Sequence, residues 1–313
     1  MRIIKASQAF LFCSLLISGL CQADDKKAFM QAAIIGDIDT VSAYVEKGGD
    51  PNTGNLFGKS ALMFATENDN EEIVQYLIDH GANINARSVA GCTALTFAAE
   101  NGYSHLVENF LKNGATTHPK TRAGWDALSI ATRQGYIDVM QTLIRNKANV
   151  NTADKHGETA LMSAARRNHL DALKLLIESD ADIYLRDKNG MSAMMLAACH
   201  GHSESVSYLL SKSAHINAIA DDGSTALFCA AEEGHTNIIE LLLANGAEIN
   251  HKNMDDETAL FLATLNNHAS SVRLLLKHGA DMNIKNKKGT TPPQLAKTKR
   301  FTDIVDLFNN TTQ

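Results

Sequence analysis

Two groups of side chains in this sequence could do chemistry. The first joins sulfur and imidazole: Cys199, His200 and His202, with Cys229 further along the chain. Soft metal ions take such ligands, but a closed site needs four of them placed together. The second is a set of cations: Lys120, Arg122, Arg133, Lys155, Arg166, Arg167, Arg186 and Lys188, near the only tryptophan, Trp125. Tryptophan and arginine are the residues that most often carry binding energy at protein interfaces. Asp221, Asp222, Glu232 and Glu233 follow as an acidic group. The usual catalytic motifs are missing, with no His-Glu-x-x-His, Gly-x-Ser-x-Gly, phosphate-cradling glycine loop or Cys-x-x-Cys. These residues point to a binding protein that is not an enzyme and needs no metal or cofactor.

Composition narrows the class of partner. The chain has 313 residues, 44% hydrophobic and 20% charged, which suits a soluble globular protein rather than a disordered one. Its net charge of −6 argues against a nucleic-acid partner, because neutralising phosphates needs a basic surface. With 4 prolines and 6% aromatics, the turn-rich, aromatic pattern of an all-β sandwich is absent.

Residues 1–23 read as a secretory signal peptide. Arg2 and Lys5 make a positive start, Ala9 to Leu20 carry no charge, and cleavage is expected after Ala23. The apolar run is shorter than the roughly 20 residues a membrane span requires. The expected destination is the periplasm, or the extracellular space. Cleavage would remove Cys13 and Cys21 and leave Cys92, Cys199 and Cys229. An odd number cannot all pair within the chain, so disulfides are not expected to be the basis of the fold. By position, Cys92 and Cys199 are the more exposed, as free thiols or intermolecular partners. Cys229 reads as a small buried apolar residue.

The strongest pattern is a period of 33. Gly58, Gly91, Gly124, Gly157, Gly190 and Gly223 keep the spacing, Asp256 takes the next place, and Gly289 follows. Two residues after each stands Ser60, Thr93, Asp126, Thr159, Ser192, Thr225, Thr258 or Thr291, residue types that cap helix amino termini. Leu95, Ala98 and Ala99 then share one helical face. Gly36, Asp69, Gly102, Gly135, Asn168, Gly201, Gly234 and Asn267 would end this helix, since these types tolerate a left-handed backbone. A second helix follows, as in Ile73, Val74, Leu77 and Ile78.

These residues resemble the ankyrin repeat. Gly223-Ser224-Thr225-Ala226-Leu227, Ala230-Ala231, Gly234-His235, Leu241-Leu242-Leu243 and Gly246-Ala247-Glu248-Ile249-Asn250 carry the likeness. It implies an all-α solenoid of stacked helix-turn-helix ankyrin repeats with β-hairpin fingers. It covers a single domain, 24–313, of about nine units: an amino-terminal cap at 25–57, full units starting at 58, 91, 124, 157, 190, 223 and 256, and a carboxy-terminal cap at 289–313. Two departures stand out: proline returns only at Pro292, and the family's histidine after leucine is Met63, Thr96 or another residue. In this family His202 and His235 would be structural. Partners usually meet the finger tips and the exposed ends of the first helices. Exported relatives act as accessory, protective or inhibitory proteins, some linked to catalase and others to phospholipases or toxins. Two alternatives are a secreted effector that binds a host protein and a regulatory subunit of a separately encoded enzyme.

In that register the finger tips are Leu56-Phe57, Val89-Ala90, Arg122-Ala123, Lys155-His156, Lys188-Asn189, Asp221-Asp222 and Met254-Asp255. The expected partner site is the basic central stripe, with Trp125 as anchor at a tip. Its expected partner is another protein with an acidic surface, bound by a monomer. The position closing each second helix is glycine at 48, 81, 114, 246 and 279 but Lys147, Asp180 and Ser213 between them. If those three are left-handed, the middle units are the softer part of the stack.

Overall fold

In the computed structural model, residues 24–311 are described, so the signal-peptide reading of 1–23 lies outside the described residues. The chain forms two compact units, Met1–Ala148 and Asn149–Gln313. The first holds α1 (helical over 24–35), α2 (Ile38–Glu46), α3 (Ala61–Glu67), α4 (Glu71–Asp79), α5 (Ala94–Asn101), α6 (Ser104–Lys112), α7 (Ala127–Gln134) and α8 (Ile137–Arg145). The second holds α9 (Ala160–Arg166), α10 (Leu170–Glu178), α11 (Ala193–Cys199), α12 (Ser203–Ser211), α13 (Ala226–Glu232), α14 (Thr236–Ala244), α15 (Ala259–Leu265), α16 (Ala269–Lys277), α17 (Pro292–Lys299) and α18 (Thr302–Thr311). The architecture is an all-α solenoid of helix pairs.

Each pair begins with a cap. Thr93 accepts from the Thr96 amide at 3.3 Å, and Thr96 returns a bond to the Thr93 amide at 2.8 Å. Ser60, Asp126, Thr159, Ser192, Thr258 and Thr291 accept in the same way. Thr225 is the exception, with no side-chain cap bond. Small residues then let neighbouring first helices meet: Ala65, Ala98 and Ala131 are buried in the first unit, and Ala164, Ala197, Ala230 and Ala263 in the second. The second helices fill the layer behind with Ile73, Leu77, Leu106, Phe110, Val139 and Leu143 in the first unit. Full burial of such side chains contributes about 1.5–3 kcal/mol each.

Each pair is ended by left-handed backbone. The first helix closes at Gly102 with φ +77° and at Asn168 with φ +59°. The second helix closes at Gly81 with φ +86° and equally at Lys147 (+62°), Asp180 (+64°) and Ser213 (+63°). These three residues therefore hold a conformation that costs an ordinary side chain about 1 kcal/mol relative to glycine.

The fingers differ from the expected β-hairpins. Among the described residues no β-strand forms, and only the isolated bridges Gly54–Ser60, Ala153–Thr159 and Arg186–Ser192 appear. The reason is where the tip hydrogen bonds go. Within each unit, tip amides donate sideways to the preceding tip: Val89 N to Phe57 O at 2.8 Å, Arg122 N to Ala90 O at 2.8 Å, Lys188 N to His156 O at 2.8 Å and Met254 N to Asp222 O at 2.9 Å. Asparagine side chains add rungs, as when Asn52 Oδ1 accepts from Asn83 N at 2.7 Å and Asn151 Oδ1 from Asp182 N at 2.8 Å. With those groups bonded between fingers, each finger is a tight turn rather than a ladder.

The cysteines also depart from expectation. Cys199 and Cys229, on α11 and α13 of the second unit, are joined by a disulfide with Cα atoms 4.4 Å apart. Cys199 is thus neither a free thiol nor an intermolecular partner, and Cys229 is more than a buried filler. Cys92 is the free cysteine among the described residues, and it is half-buried.

Replacing Lys147, Asp180 or Ser213 singly with glycine is expected to stabilise the protein by roughly 0.5–1 kcal/mol each in urea unfolding. A loss of stability in all three would contradict the left-handed assignment. Cys229→Ser is expected to lower stability by about 2–4 kcal/mol under non-reducing conditions. Under strong reductant the native protein should fall towards the variant, and an unchanged melting temperature on reduction would rule the bridge out.

Candidate protein-binding site

Trp125 lies behind a tip rather than at one. Its finger turns through Thr121, whose amide donates to Trp125 O at 2.8 Å and whose hydroxyl accepts from Trp125 N at 3.2 Å. This places Arg122 and Ala123 at the apex and leaves the indole half-buried beneath them. Arg133, in the last turn of α7, lays its guanidinium 4.0 Å from the ring centroid. Such a cation–π contact contributes about 0.5–2 kcal/mol, more as water is excluded from it. Beside the pair opens a cleft of about 380 Å³, floored by Cys92, Ile130 and Trp125 and walled by Ala90, Ala123, Arg122, Arg133 and Glu100. Arg122, in that wall, is exposed, and so is Lys120 two residues before it in the same finger.

The rest of the first unit's inner surface continues this chemistry. The fourth place after each cap holds Phe64, Phe97 and Ile130. Lys59 stretches over the first two rings, 4.6 and 4.4 Å from their centroids, and its ammonium pairs with Glu67. Sequence reading passed over these aromatics. Their signal was the apolar residue standing just before each buried small pair, where only a partly open face is available.

The second unit's cations are less available than their spacing suggested. Arg166 pairs with Glu158 at 3.3 Å, and Arg186 donates to Ile219 O at 2.6 Å. Arg166 is committed to its own repeat and Arg186 to the finger that follows it. Lys155, Arg167 and Lys188 are exposed. The structure therefore gathers Lys120, Arg122, Trp125 and Arg133 in the first unit, while the remaining members of the stripe belong to the second. The acidic group lies in the second unit as well. There Glu232 has its carboxyl held above the usual carboxylate range, first by partial burial and then by the charges of Glu233, Asp222 and Glu257.

The histidines are used for stacking. His202 Nε2 donates to Arg166 O at 2.9 Å, His235 Nε2 to Cys199 O at 3.3 Å and His268 Nε2 to Glu232 O at 2.8 Å. In the first unit Asn70 fills the same place, donating from Nδ2 to Ala33 O at 2.9 Å. Each ties a second helix to the first helix of the preceding pair. His200 Nδ1 meets Leu196 O at 2.9 Å within its own helix, so Cys199, His200 and His202 all have structural contacts, and among the described residues no group of histidine, cysteine and carboxylate side chains could hold a metal ion.

Capped helix pairs, left-handed closures and laterally bonded fingers define a repeat protein that presents a row of interchangeable side chains on a fixed frame. The chain belongs to the ankyrin repeat family: ankyrin repeats (3 copies) match residues 29–121, 96–187 and 180–253, and a further ankyrin repeat matches 255–287. A search of curated proteins found no match. Membership makes the chain a protein-binding scaffold, and among the described residues no helix is long and apolar enough to cross a membrane.

Burial holds His202 below its ordinary value, opposed by its bond to Arg166 O and reinforced by His200 and His235. Between the folded and unfolded values the unfolded chain binds more protons, so stability falls as pH drops below about 6.5. His202→Asn, which keeps a donor as Asn70 does, is expected to lose less melting temperature than the native protein between pH 7.5 and 5.5. Equal losses measured by differential scanning fluorimetry would contradict this.

Proposed function

We propose that this protein is exported, to the periplasm or beyond the cell, and that there it binds a partner protein with an acidic surface. The stacked pair of Trp125 and Arg133 over its cleft carries the reading, because it combines a large apolar anchor with an oriented cation. Arg122, in the cleft wall, and Lys120 in the same finger add positive charge. In the second unit, Lys155, Arg167 and Lys188 are exposed cations of the same kind. The export reading rests on the charged start, apolar run and small residue of 1–23.

The role that fits a scaffold with this exposed chemistry is accessory, protective or inhibitory. It covers a surface of another protein and leaves any reaction to that protein. Fixed fingers suit this task, since a preformed surface loses little entropy on binding.

Affinity capture from the envelope and secreted fractions of the source cells tests the reading. The native protein should retain a specific partner, with affinity falling at least tenfold in Trp125→Ala and in the double variant Arg122→Glu, Arg133→Glu. High salt should weaken the complex. A partner held equally by native and variant proteins would move the site elsewhere. A chain that keeps residues 1–23 and stays in the cytoplasm would remove the export reading.

A further inference from the structure

The second unit contains a covalent link that its stacking does not require. Cys199 ends α11 and Cys229 stands in α13, so the bridge ties the first helices of two successive repeats. The same two places hold Arg166 and Leu196 one repeat earlier, and Glu232 and Leu262 one repeat later. There the first helices pack through the buried Ala164, Ala197, Ala230 and Ala263, and residues of these types form no covalent link. In the first unit the two places are Glu100 and Ile130, which both line the cleft beside Trp125. By register the bridge therefore stands on the inner face of the second unit.

The bridge fastens a soft stretch of the stack to a firmer one. From α9 to α12, the buried hydroxyls of Ser163 and Ser205 have no hydrogen-bond partner among the described residues. A buried hydroxyl left unpaired subtracts from stability, where an apolar side chain would add to it. Ser205 also takes the second-helix place that Ile73, Leu106 and Val139 fill in the first unit. Both second helices here close on a left-handed residue other than glycine, Asp180 and Ser213. In the next pair, α14 fills that place with Ile238 and closes on Gly246. Its first helix, α13, lacks only the cap bond at Thr225. Cys229 stands one turn beyond Thr225, so the bridge pins the start of α13 as well as the end of α11.

The two sulfurs differ in access. Cys199 is half-buried at its helix end, while Cys229 is 6% exposed. Thiol–disulfide exchange needs an incoming thiolate to reach one sulfur, and here that sulfur is Cys199. We infer that the Cys199–Cys229 bridge is a reversible redox switch. A dithiol reductant opens it in the folded protein, a disulfide oxidant closes it, and opening loosens α11 and α12. One thiolate of the reductant bonds to Cys199 Sγ, the bridge breaks, and Cys229 leaves as a thiolate that takes a proton from water. The reductant's second thiolate then attacks the reductant sulfur of that mixed disulfide. This closes the reductant's own disulfide and releases Cys199 as a thiolate, which is protonated in turn. Two electrons pass from the dithiol to the bridge, and exchange with a disulfide oxidant returns them. Local opening of this kind draws on the least stable part of a structure, which the stretch from α9 to α12 supplies. The switch stands independently of the Trp125 site, which lies in the other unit.

The purified oxidised protein is treated with dithiothreitol in the absence of denaturant and then alkylated with iodoacetamide, and peptide mass mapping locates the labelled cysteines. Cys199 and Cys229 should both become labelled while the helical circular dichroism signal stays nearly unchanged. With glutathione, a monothiol, the trapped mixed disulfide should fall on Cys199 at least tenfold more often than on Cys229. Reduction should speed amide exchange at least tenfold across α11 and α12, and at least fivefold less than that in α4 and α6. Glutathione disulfide should reverse the change. In the double variant Ser205→Ala, Ser213→Gly, which repairs two of the soft points, the reduced protein should exchange across α11 and α12 at least threefold more slowly than reduced native protein. No bridge in the purified protein, a bridge that opens only in urea, or an adduct mainly on Cys229 would overturn the inference. So would loss of the helical signal on reduction, exchange across α11 and α12 that reduction leaves unchanged, or equal exchange in the reduced variant and the reduced native protein.

Discussion

The structure depends on the chain reversing direction at fixed intervals, and left-handed backbone is what makes that possible. Each 33-residue unit needs one such residue after its first helix and one after its second. If either is lost, the next helix pair leaves its register, and the buried alanine faces no longer meet. Glycine meets the need at the lowest cost. At Lys147, Asp180 and Ser213 an ordinary side chain meets it at a cost of about 1 kcal/mol each, which makes those closures the softer ones. Register in turn fixes what the fingers can do, because tip amides within a unit must find the carbonyl of the tip before them.

Those lateral bonds separate frame from function. Backbone amides, Asn52, Asn85 and the stacking residues Asn70, His202, His235 and His268 hold the frame. Side chains at the tips are then free to vary without cost to the fold. The chain uses that freedom unevenly. The first unit carries apolar and cationic tips with an aromatic inner face, and the second carries basic tips at Lys155 and Lys188, acidic ones at Asp221 and Asp222, and cations partly committed to Glu158 and Ile219 O.

Much of this was legible in the sequence, and the reasons are local. The period, the Ser60 and Thr93 caps and the left-handed places at Gly102 and Lys147 are properties of residue type and spacing. They required no knowledge of neighbours. What spacing could not give was the direction of side chains and hydrogen bonds. Trp125 sits two residues from a tip, and only the turn geometry puts it under Arg133 rather than in solvent. Arg166 and Arg186 read as spare cations, because their partners, Glu158 and Ile219 O, are contacts set by the turn and the next unit. The pairing of Cys199 with Cys229 was hidden for the same reason, since it joins positions in successive repeats. The hairpin strands were expected of the fingers from the family likeness. They are replaced by bonds between fingers, which no single repeat can reveal.

Hydrogen exchange on the complex with the captured partner is the most direct test of where binding lies. The account predicts slowed exchange on binding in the first unit's fingers, over residues 53–60, 86–93 and 119–126, with the outer helices α4, α6 and α8 unchanged. Protection confined to the acidic tips around Asp221 and Asp255, or to those outer helices, would contradict it.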